Sequence, residues 1–463
     1  MGVVIVNWNK PMELKRLLDS LLTLNYDNHD IYVVDNASTD DSVLIVKNHS
    51  LKTNLILNGE NKGGTGGFNS GIRFAMQTKG YEYIWLLDND VTVTPGALLE
   101  LTKVMLSDPL IGISGSRILN LADPEFIVES GAFFDWRVGT VRPVHRNIKK
   151  CDAQGEAIIQ VDYVAVCSAL VRVSAIPNVG LMDERYFLFW DDMDWGIAFQ
   201  DAGFKAVAVP ASEVYHAAFT EYRSLVVDSY YGIRNQLLTF SKYRHHKYAT
   251  HGMFNMLRRA SKTSIFTILS CNYGGKLSFL GYWDFLRGQW GKIPWSVPGS
   301  KLQLKIKKQI IFASSRVLLI PMKDVNQAAN VINCLLEKGV SNIDILVSND
   351  RKMLFEKFTS CGFVIIDYTS QNVMLKSAVS FLKIFFKGYD VSVKSSGDKI
   401  SPFTYAVRKT VSYDEENKQF IESDEGLWNI WRVIISILFG EIMGCIMFFF
   451  AWLKSLQLAS KRY

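Results

Sequence analysis

Several features that point to common protein classes are missing from this sequence. Its six cysteines are widely spaced and include no Cys-X-X-Cys pair, which favours buried thiols in a reducing compartment over a disulfide framework or a zinc site. No export signal opens the chain, because the first apolar run, Val3–Val6, already ends at Asn7. The net charge of +6 is too small and too scattered to indicate nucleic-acid binding. We therefore expect a cytosolic amino-terminal domain that does not bind nucleic acid.

The composition is that of a folded protein with more than one domain. Hydrophobic residues make up 48% of the 463 residues and charged residues 21%, so a buried core is easily built. At roughly 150 residues per domain, the length suggests two or three domains.

The first part of the chain alternates predicted strands and helices. The strands are VVIV, IYVVD, LILN and YIWLLD, and helical segments such as PMELKRLLDSLLTL and NSGIRFAMQTKG lie between them. Strands without polar alternation are typical of a sheet that is buried on both faces. This pattern predicts a doubly wound, mostly parallel α/β sheet over residues 1–240, with ligands at the carboxyl ends of its strands.

Three further segments follow. Residues 241–310 are helical, aromatic and basic, which is compatible either with docking on a membrane surface or with ordinary amphipathic packing. Residues 311–426 repeat the strand–helix pattern and predict a second, smaller α/β domain. Within residues 427–463, Val433–Leu453 is almost wholly apolar and long enough for ~30 Å of hydrocarbon. Glu441 in its middle leaves open whether this helix spans the membrane or lies on it.

Two motifs favour nucleotide binding. Asp35 ends the second predicted strand, where a carboxylate can accept hydrogen bonds from a base or a ribose; helix capping is the alternative. The segment NKGGTGGFNSG contains Asn61, Gly63 and Gly64, and its glycines would let the backbone approach an anion. It is neither a P-loop nor a Gly-X-Gly-X-X-Gly motif, and a flexible loop is the alternative.

Acidic residues suggest a metal and a catalytic group. Asp88 and Asp90 follow a strongly apolar strand, so both can turn toward one Mg²⁺ or Mn²⁺ ion that bridges a diphosphate. The segment DERYFLFWDDMDWG concentrates five acids beside two tryptophans, and their mutual repulsion favours a cation or a reaction there. His216, at the end of EVYH, could complete a metal shell.

Taken in order, these motifs resemble the family 2 glycosyltransferases of the GT-A fold, and most closely bacterial galactofuranosyltransferases and rhamnosyltransferases. The segments that carry the resemblance are VVIVNWNK, VVDNASTD, NKGGTGGFNSG, WLLDNDV, FLFWDDMDW, EVYH and YYGIRN. The resemblance implies that Asp35 contacts uracil and that Asp88, Asp90 and His216 hold the metal. It also implies the following roles around the acceptor: Asp192 as the base, Asp191 as the residue that orients the sugar, and Trp190 as a lining residue.

The chemistry of the residues agrees with that resemblance. One carboxylate must take the proton of the acceptor hydroxyl, and the metal absorbs the charge of the leaving diphosphate. A single base opposite the leaving group implies inversion. We expect transfer of galactofuranose from UDP-galactofuranose, or otherwise of rhamnose from dTDP-rhamnose. The expected acceptor is a lipid-linked glycan in bacterial surface polysaccharide (O-antigen) synthesis, at the cytoplasmic face of the plasma membrane.

Two other functional classes remain open. A sugar-1-phosphate nucleotidyltransferase could share the fold and the metal aspartates, but it would need a glycine-rich basic loop where this chain has NWNKPMEL. A non-catalytic module that binds sugar nucleotides would have no reason to keep Asp192 near a metal site.

Overall fold

The computed structural model describes most of the amino-terminal half and parts of the rest; the described residues are 1–153, 158–216, 227–269, 274–293, 316–319, 325–337, 340, 342–348, 362–366, 391–395, 409–414, 419–423 and 427–460. Much of the predicted domain 311–426 lies outside them. The chain divides into two compact units: the first is Met1–Ile268, Asn272–Ser296 and Gly440–Tyr463, and the second is Leu269–Cys271 and Val297–Phe439. The boundaries of the four predicted domains stay predictions.

The first unit is built on a ten-stranded sheet. The strands of this unit are β1 (Gly2–Asn7), β2 (Asp30–Asp35), β3 (Thr53–Leu57), β4 (Tyr83–Asp88), β5 (Val91–Val93), β6 (Ile111–Asn120), β7 (Ile127–Glu129), β8 (Ala132–Asp135), β9 (Thr140–Pro143), β10 (Ile159–Val161), β11 (Ser168–Arg172) and β12 (Lys205–His216). The order is β10-β12-β6-β11-β4-β1-β2-β3; β5 pairs with β12 and β7 with β6, while β8 and β9 form a separate hairpin. The pairs among β4, β1, β2 and β3 are parallel, and β11 is antiparallel to both its neighbours.

Helices cover both faces of this sheet. The helices of this unit are α1 (Pro11–Leu21), α2 (Ser42–Asn48), α3 (Gly63–Thr78), α4 (Ala97–Ser107), α5 (Ile176–Val179), α6 (Asp191–Asp201), α7 (Gly232–Lys242), α8 (Ala249–Leu269) and α9 (Gly274–Arg287). Of these, α7, α8 and α9 pack in a third hydrophobic cluster with the β8–β9 hairpin. β1 is buried along its whole length, and its side chains alternate between two hydrophobic clusters, one on each face. The predicted doubly wound, mostly parallel sheet is confirmed.

The glycine-rich segment differs from its interpretation as a loop, because α3 already begins at Gly63 and includes most of the glycines. The glycines on its buried face allow the helix to lie close to the sheet. A Cβ atom at Gly67 would lie 2.6 Å from Cγ1 of Val6, and one at Gly71 would overlap the side chain of Val4. Helix–sheet packing therefore explains two glycines that the sequence pattern had assigned to ligand binding.

The second unit contains a six-stranded sheet, as the repeated strand–helix pattern predicts. Its described elements are β13 (Arg316–Leu319), α10 (Val325–Glu337), β14 (Asn342–Ser348), β15 (Gly362–Ile366), β16 (Val391–Ser395), β17 (Lys409–Asp414) and β18 (Gln419–Ser423). The strand order is β15-β14-β13-β16-β17-β18, and all pairs are parallel except the last.

The apolar carboxyl-terminal segment forms a long helix, α11 (Leu427–Ser460). Within the first unit, its residues from Gly440 onward pack against α8. Ser261 donates a hydrogen bond to the carbonyl of Gly440 at 3.0 Å, and Glu441 forms ion pairs with Arg258 and with Lys262. By length and composition, Ile435–Leu458 could cross a membrane.

Candidate active site

Two strands bring three predicted metal ligands together. β4 ends at Asp88 and β12 ends at His216, while the short β5 pairs with the end of β12 and holds the Asp88–Asp90 turn beside it. The ligand atoms of Asp88, Asp90 and His216 all lie within 4.8 Å of one another. Nε2 of His216 is 3.0 Å from Oδ1 of Asp90. This cluster of two carboxylates and one imidazole could hold a divalent metal ion.

The charges around this cluster act differently on its two carboxyl groups. Burial and the neighbouring Asp90 raise the pKa of Asp88 to about 6. Burial also opposes ionisation of Asp90, but the hydrogen bond from His216 and the charge of Lys10 outweigh it and lower the pKa of Asp90. Nζ of Lys10 lies 2.7 Å from Oδ2 of Asp90. A divalent cation held here would favour the charged form of both acids.

Amides connect the metal cluster to the predicted base-binding carboxylate. Asn89 donates a hydrogen bond to Oδ1 of Asn7 at 2.7 Å, and Asn7 in turn donates to Oδ1 of Asp35 at 3.5 Å and to the hydroxyl of Ser38. Oδ2 of Asp35 accepts the backbone N–H of Ser38 at 2.9 Å. Asn89 therefore has a structural role, because it binds Asn7. Asn7 is fully buried and links the metal cluster to Asp35, a role that the sequence interpretation missed.

Three residues at or before the start of α3, Asn61, Gly63 and Gly64, are predicted to bind the nucleotide, and their surroundings differ from one another. Oδ1 of Asn61 accepts the backbone N–H of Gly63, the first residue of α3, at 2.8 Å. Gly63 has φ +72°, and a Cβ atom there would overlap the carbonyl of Phe187, so glycine is required. A Cβ atom at Gly64 would meet no atom within 4 Å in the described part of the chain. Of the two glycines, Gly64 is the one that faces open space.

The acidic segment before and within α6 separates into two groups. Asp183 and Asp194 both bind Nζ of Lys242, at 3.0 and 2.5 Å, and Glu184 pairs with Arg73 at 2.9 Å. These three acids have cationic partners from other elements, so repulsion in the segment is smaller than the sequence suggests.

Asp191 and Asp192 form the second group. Asp191 is buried, and its Oδ2 accepts a hydrogen bond from the hydroxyl of Thr65 at 2.7 Å; burial raises its pKa. Asp192 is partly exposed, and its Oδ1 accepts the backbone N–H of Met193. Burial of its carboxyl group, together with the negative charges of Asp191 and Glu129, raises the pKa of Asp192 well above its usual range. The charge of Asp88 acts on it in the same direction, so the two acidic groups lie near one another.

The predicted acceptor-lining residue is packed into the protein. Trp190 is 9% exposed, and its ring meets that of Phe134 edge-to-face at 5.7 Å. The ring thus belongs to a hydrophobic cluster beneath Asp191 and Asp192, and contact with an acceptor stays a prediction.

Comparison with known proteins agrees with the motifs. Residues 2–163 match the family model described as glycosyl transferase family 2. The chain is 21% identical over 193 residues to the galactofuranosyltransferase GlfT2 of Mycobacterium tuberculosis, which covers 38% of this chain and 30% of that protein. It is 24% identical over 251 residues to the dTDP-rhamnosyl transferase RfbF of Shigella flexneri, or 52% of this chain and 79% of that one.

A shorter match is more similar in sequence. Over 47 residues, or 10% of this chain and 15% of the relative, the identity is 49% to the N-acetylglucosaminyl-diphospho-decaprenol L-rhamnosyltransferase of Mycobacterium tuberculosis. The chain spans less than a third of the length of the mycobacterial galactofuranosyltransferase. The resemblance inferred from the motifs is confirmed by the match of residues 2–163 to the glycosyl transferase family 2 model.

Proposed function

We propose that this protein is an inverting, metal-dependent glycosyltransferase that moves a sugar from a nucleotide donor to a glycan acceptor. The observation that carries the proposal is the pairing of two unlike acidic groups. Asp88, Asp90 and His216 offer converging ligands for a cation, and Asp192 is a nearby carboxyl group whose pKa is raised. The first group suits a diphosphate–metal complex, and the second suits acceptance of a proton.

In this proposal, each residue does one part of the transfer. Asp88, Asp90 and His216 hold Mg²⁺ or Mn²⁺, which when bound supplies the positive charge that a leaving diphosphate needs. Asp192 takes the proton from the acceptor hydroxyl. At the same time the hydroxyl oxygen bonds to the anomeric carbon of the donor sugar, and the bond between that carbon and the diphosphate breaks. Asp191, fixed by Thr65, orients the acceptor sugar. Attack from the side opposite the leaving group inverts the anomeric configuration.

Asp35, Asn61, Gly63 and Gly64 are proposed to form the nucleotide side of the site. Asp35 lies at the carboxyl end of β2, next to β1 and one strand away from β4. Ligands of open α/β sheets bind at this edge. Gly64 leaves space there for a backbone approach.

The proposed donor is UDP-galactofuranose, with dTDP-rhamnose as the second candidate. The motifs GGTGGF and WDDMD and the similarity to a galactofuranosyltransferase support the first; the similarity to two rhamnosyltransferases supports the second. Incubation with a panel of nucleotide sugars and Mn²⁺, with a lipid-linked glycan as acceptor, should release UDP from UDP-galactofuranose. Turnover of dTDP-rhamnose alone would overturn the donor assignment.

The same panel, extended with nucleoside triphosphates and sugar 1-phosphates, separates the other classes. A nucleotidyltransferase would release pyrophosphate from a nucleoside triphosphate and a sugar 1-phosphate, and a binding module would retain donors without any release. Either result would contradict the proposed transferase.

We further propose that α11 docks on the cytoplasmic face of the plasma membrane, where a lipid-linked acceptor lies. One face of its carboxyl-terminal half is packed into the protein, since Met447 and Ala451 are buried and Tyr282 donates to the carbonyl of Met447. The other face is apolar and exposed; it includes Ile442, Ile446, Phe449, Phe450 and Leu453. Ion pairs with Arg258 and Lys262 offset the charge of Glu441. This arrangement favours a helix that lies in the interface over one that spans it.

Vesicle flotation tests this docking. The change of Phe449 and Phe450 to serine should release the protein from phosphatidylglycerol-containing vesicles, because it removes apolar area that would otherwise be buried in lipid. Leu106, exposed on α4, provides the matched control: Leu106→Ser should float like the parent. Equal flotation of all three proteins would contradict docking through α11.

A further inference from the structure

Two buried polar residues on α7, Arg234 and Asn235, have no role in the proposed chemistry. They belong to the motif YYGIRN, and both side chains are fully buried. Removing a guanidinium group and an amide from water is costly unless each group finds hydrogen-bond partners. Arg234 and Asn235 both donate to carbonyls in the segment that leads into α6, directly before Asp191 and Asp192.

That segment has an unusual backbone. Phe187, Phe189 and Trp190 have φ values of +66°, +70° and +75°, in the left-handed region. For residues with a Cβ atom, this conformation is strained. Three such residues within four positions persist only if the surrounding structure holds them. Their conformation determines where α6 begins and therefore where the side chain of Asp192 points.

Asn235 binds three carbonyl groups of the segment. Its Nδ2 lies 3.0 Å from the oxygen of Tyr186, 2.9 Å from that of Leu188 and 2.7 Å from that of Phe189. One amide group thus contacts the carbonyls on both sides of Phe187 and the carbonyl just before Trp190. Without these hydrogen bonds, the backbone could relax out of its left-handed conformation at Phe187, Phe189 and Trp190.

Arg234 supports the same segment from the adjacent position. Its Nη2 donates to the carbonyl of Tyr186 at 3.0 Å and to that of Arg185 at 3.3 Å, and its Nη1 donates to the carbonyl of Gly291 at 2.7 Å. Its Nε donates to Oδ1 of Asn235, which orients the amide so that Nδ2 faces the carbonyls. The two residues therefore act as one unit.

The opposite side of the segment meets the start of α3. The carbonyl of Phe187 accepts the backbone N–H of Thr65, and the hydroxyl of Thr65 binds Asp191. The segment is therefore held between α3 and α7, with the acidic pair at its end.

We infer that Arg234 and Asn235 are positioning residues for the proton acceptor: by hydrogen-bonding four carbonyls of residues 185–189, they hold the left-handed backbone that presents Asp192 to the acceptor hydroxyl. The inference rests on the proposed function. It assigns them no contact with donor, metal or acceptor.

Asn235→Ala, compared with Gln236→Ala, tests this role. Gln236 is the next residue on α7, is also buried, and donates to the carbonyl of Gly139, away from the acidic segment. Asn235→Ala should lower kcat by about 10²-fold, the cost of a misplacement near 1 Å, and leave KM for the donor and Mn²⁺-dependent UDP binding almost unchanged. Gln236→Ala should lose thermal stability but keep the parent's kcat.

Milder variants keep the test decisive if Asn235→Ala does not fold. Asn235→Ser retains one hydrogen-bond donor and should lose less kcat than the alanine variant. Arg234→Lys keeps the charge without the planar fork and should also lower kcat at constant KM. The inference is overturned if folded Asn235→Ala or Asn235→Ser keeps a kcat within threefold of the parent. It is also overturned if their loss of kcat equals that of Gln236→Ala. A parent protein without transferase activity would instead overturn the proposed function, and this inference with it.

Discussion

The acids at the strand ends and the acids at the start of α6 are chemically alike, but their surroundings differ. Asp90 lies between Lys10 and His216, and these partners lower its pKa. Burial and then the negative charges of Asp191 and Glu129 raise the pKa of Asp192. The first environment keeps a carboxylate charged and ready for a cation, and the second makes a carboxylate a better proton acceptor.

This difference shows how one residue type can serve two roles in one site. Environments that push the pKa values of two acids apart separate a charged ligand from a proton carrier. Asp88 is intermediate: its pKa of about 6 reflects burial beside Asp90, and a bound cation would remove that effect. The variants below are expected to separate these roles, from the largest effect to the smallest.

Asp192→Asn should have the largest effect. Asparagine keeps the size of the side chain but cannot accept the proton, and general-base catalysis is worth about 10²–10⁴ in rate. We expect kcat to fall by that factor in an assay of nucleoside diphosphate release with acceptor present. Asp201→Asn, at the other end of the same helix, is the matched control and should keep the parent's kcat. Turnover of Asp192→Asn within threefold of the parent would exclude the base assignment.

His216→Ala should weaken metal binding. Loss of an outer-shell partner of a metal ligand lowers metal affinity roughly 10–100-fold. Loss of an imidazole that ligates the ion directly should lower it at least as much. Titration with Mn²⁺ by calorimetry measures the change, and saturating Mn²⁺ should restore part of the turnover. His49→Ala, whose histidine pairs with Asp19 and belongs to neither group of potential metal ligands, should bind Mn²⁺ as the parent does. Unchanged affinity in His216→Ala would remove this residue from the metal shell.

The pH dependence should follow Asp192. Its pKa is raised by burial and by neighbouring negative charge, so its proton-accepting form is lost as pH falls through that raised value. Below it, kcat should drop about tenfold per pH unit, and the midpoint should lie well above the ordinary aspartate value of about 3.9. A profile of kcat at saturating Mn²⁺ checks this. A midpoint near pH 4 would show that the base is an acid in an ordinary environment.

Lys10→Gln should have the smallest effect, and one of opposite sign. The ammonium group of Lys10 competes with a cation for Asp90, but it is 45% exposed, so the pair is worth at most about 1 kcal/mol. Its removal should tighten Mn²⁺ binding by up to about fivefold. Lys15→Gln, at an exposed ion pair on α1, serves as the control. Weaker Mn²⁺ binding in Lys10→Gln would contradict this competition.

Sequence patterns predicted the features that depend on local order. Hydrophobic runs predicted the mostly parallel sheet. The resemblance to family 2 glycosyltransferases grouped Asp88, Asp90 and His216 as metal ligands, and the structure brings their ligand atoms together. The start of α3 was placed too late, because glycines are poor helix formers and their close packing against Val4 and Val6 depends on tertiary structure.

Features that depend on distant partners could not be predicted. The acidic segment was interpreted as one repelling cluster, but Lys242, 48 residues beyond Asp194, neutralises part of it. Likewise, no local pattern shows that Asn235 binds the carbonyls of residues 186–189. The fold brings such partners together, and their spacing in the sequence does not indicate that they are in contact.

The separation of roles is tested most directly by Mn²⁺-dependent UDP binding to Asp192→Asn, measured beside Asp90→Asn. The account predicts that Asp192→Asn binds UDP with Mn²⁺ as the parent does, although its turnover is lost, because Asp192 holds neither metal nor diphosphate. Asp90→Asn should lose the Mn²⁺-dependent part of the affinity. If Asp192→Asn loses that affinity as well, the two acidic groups form a single metal site, and the division between ligand and base is wrong.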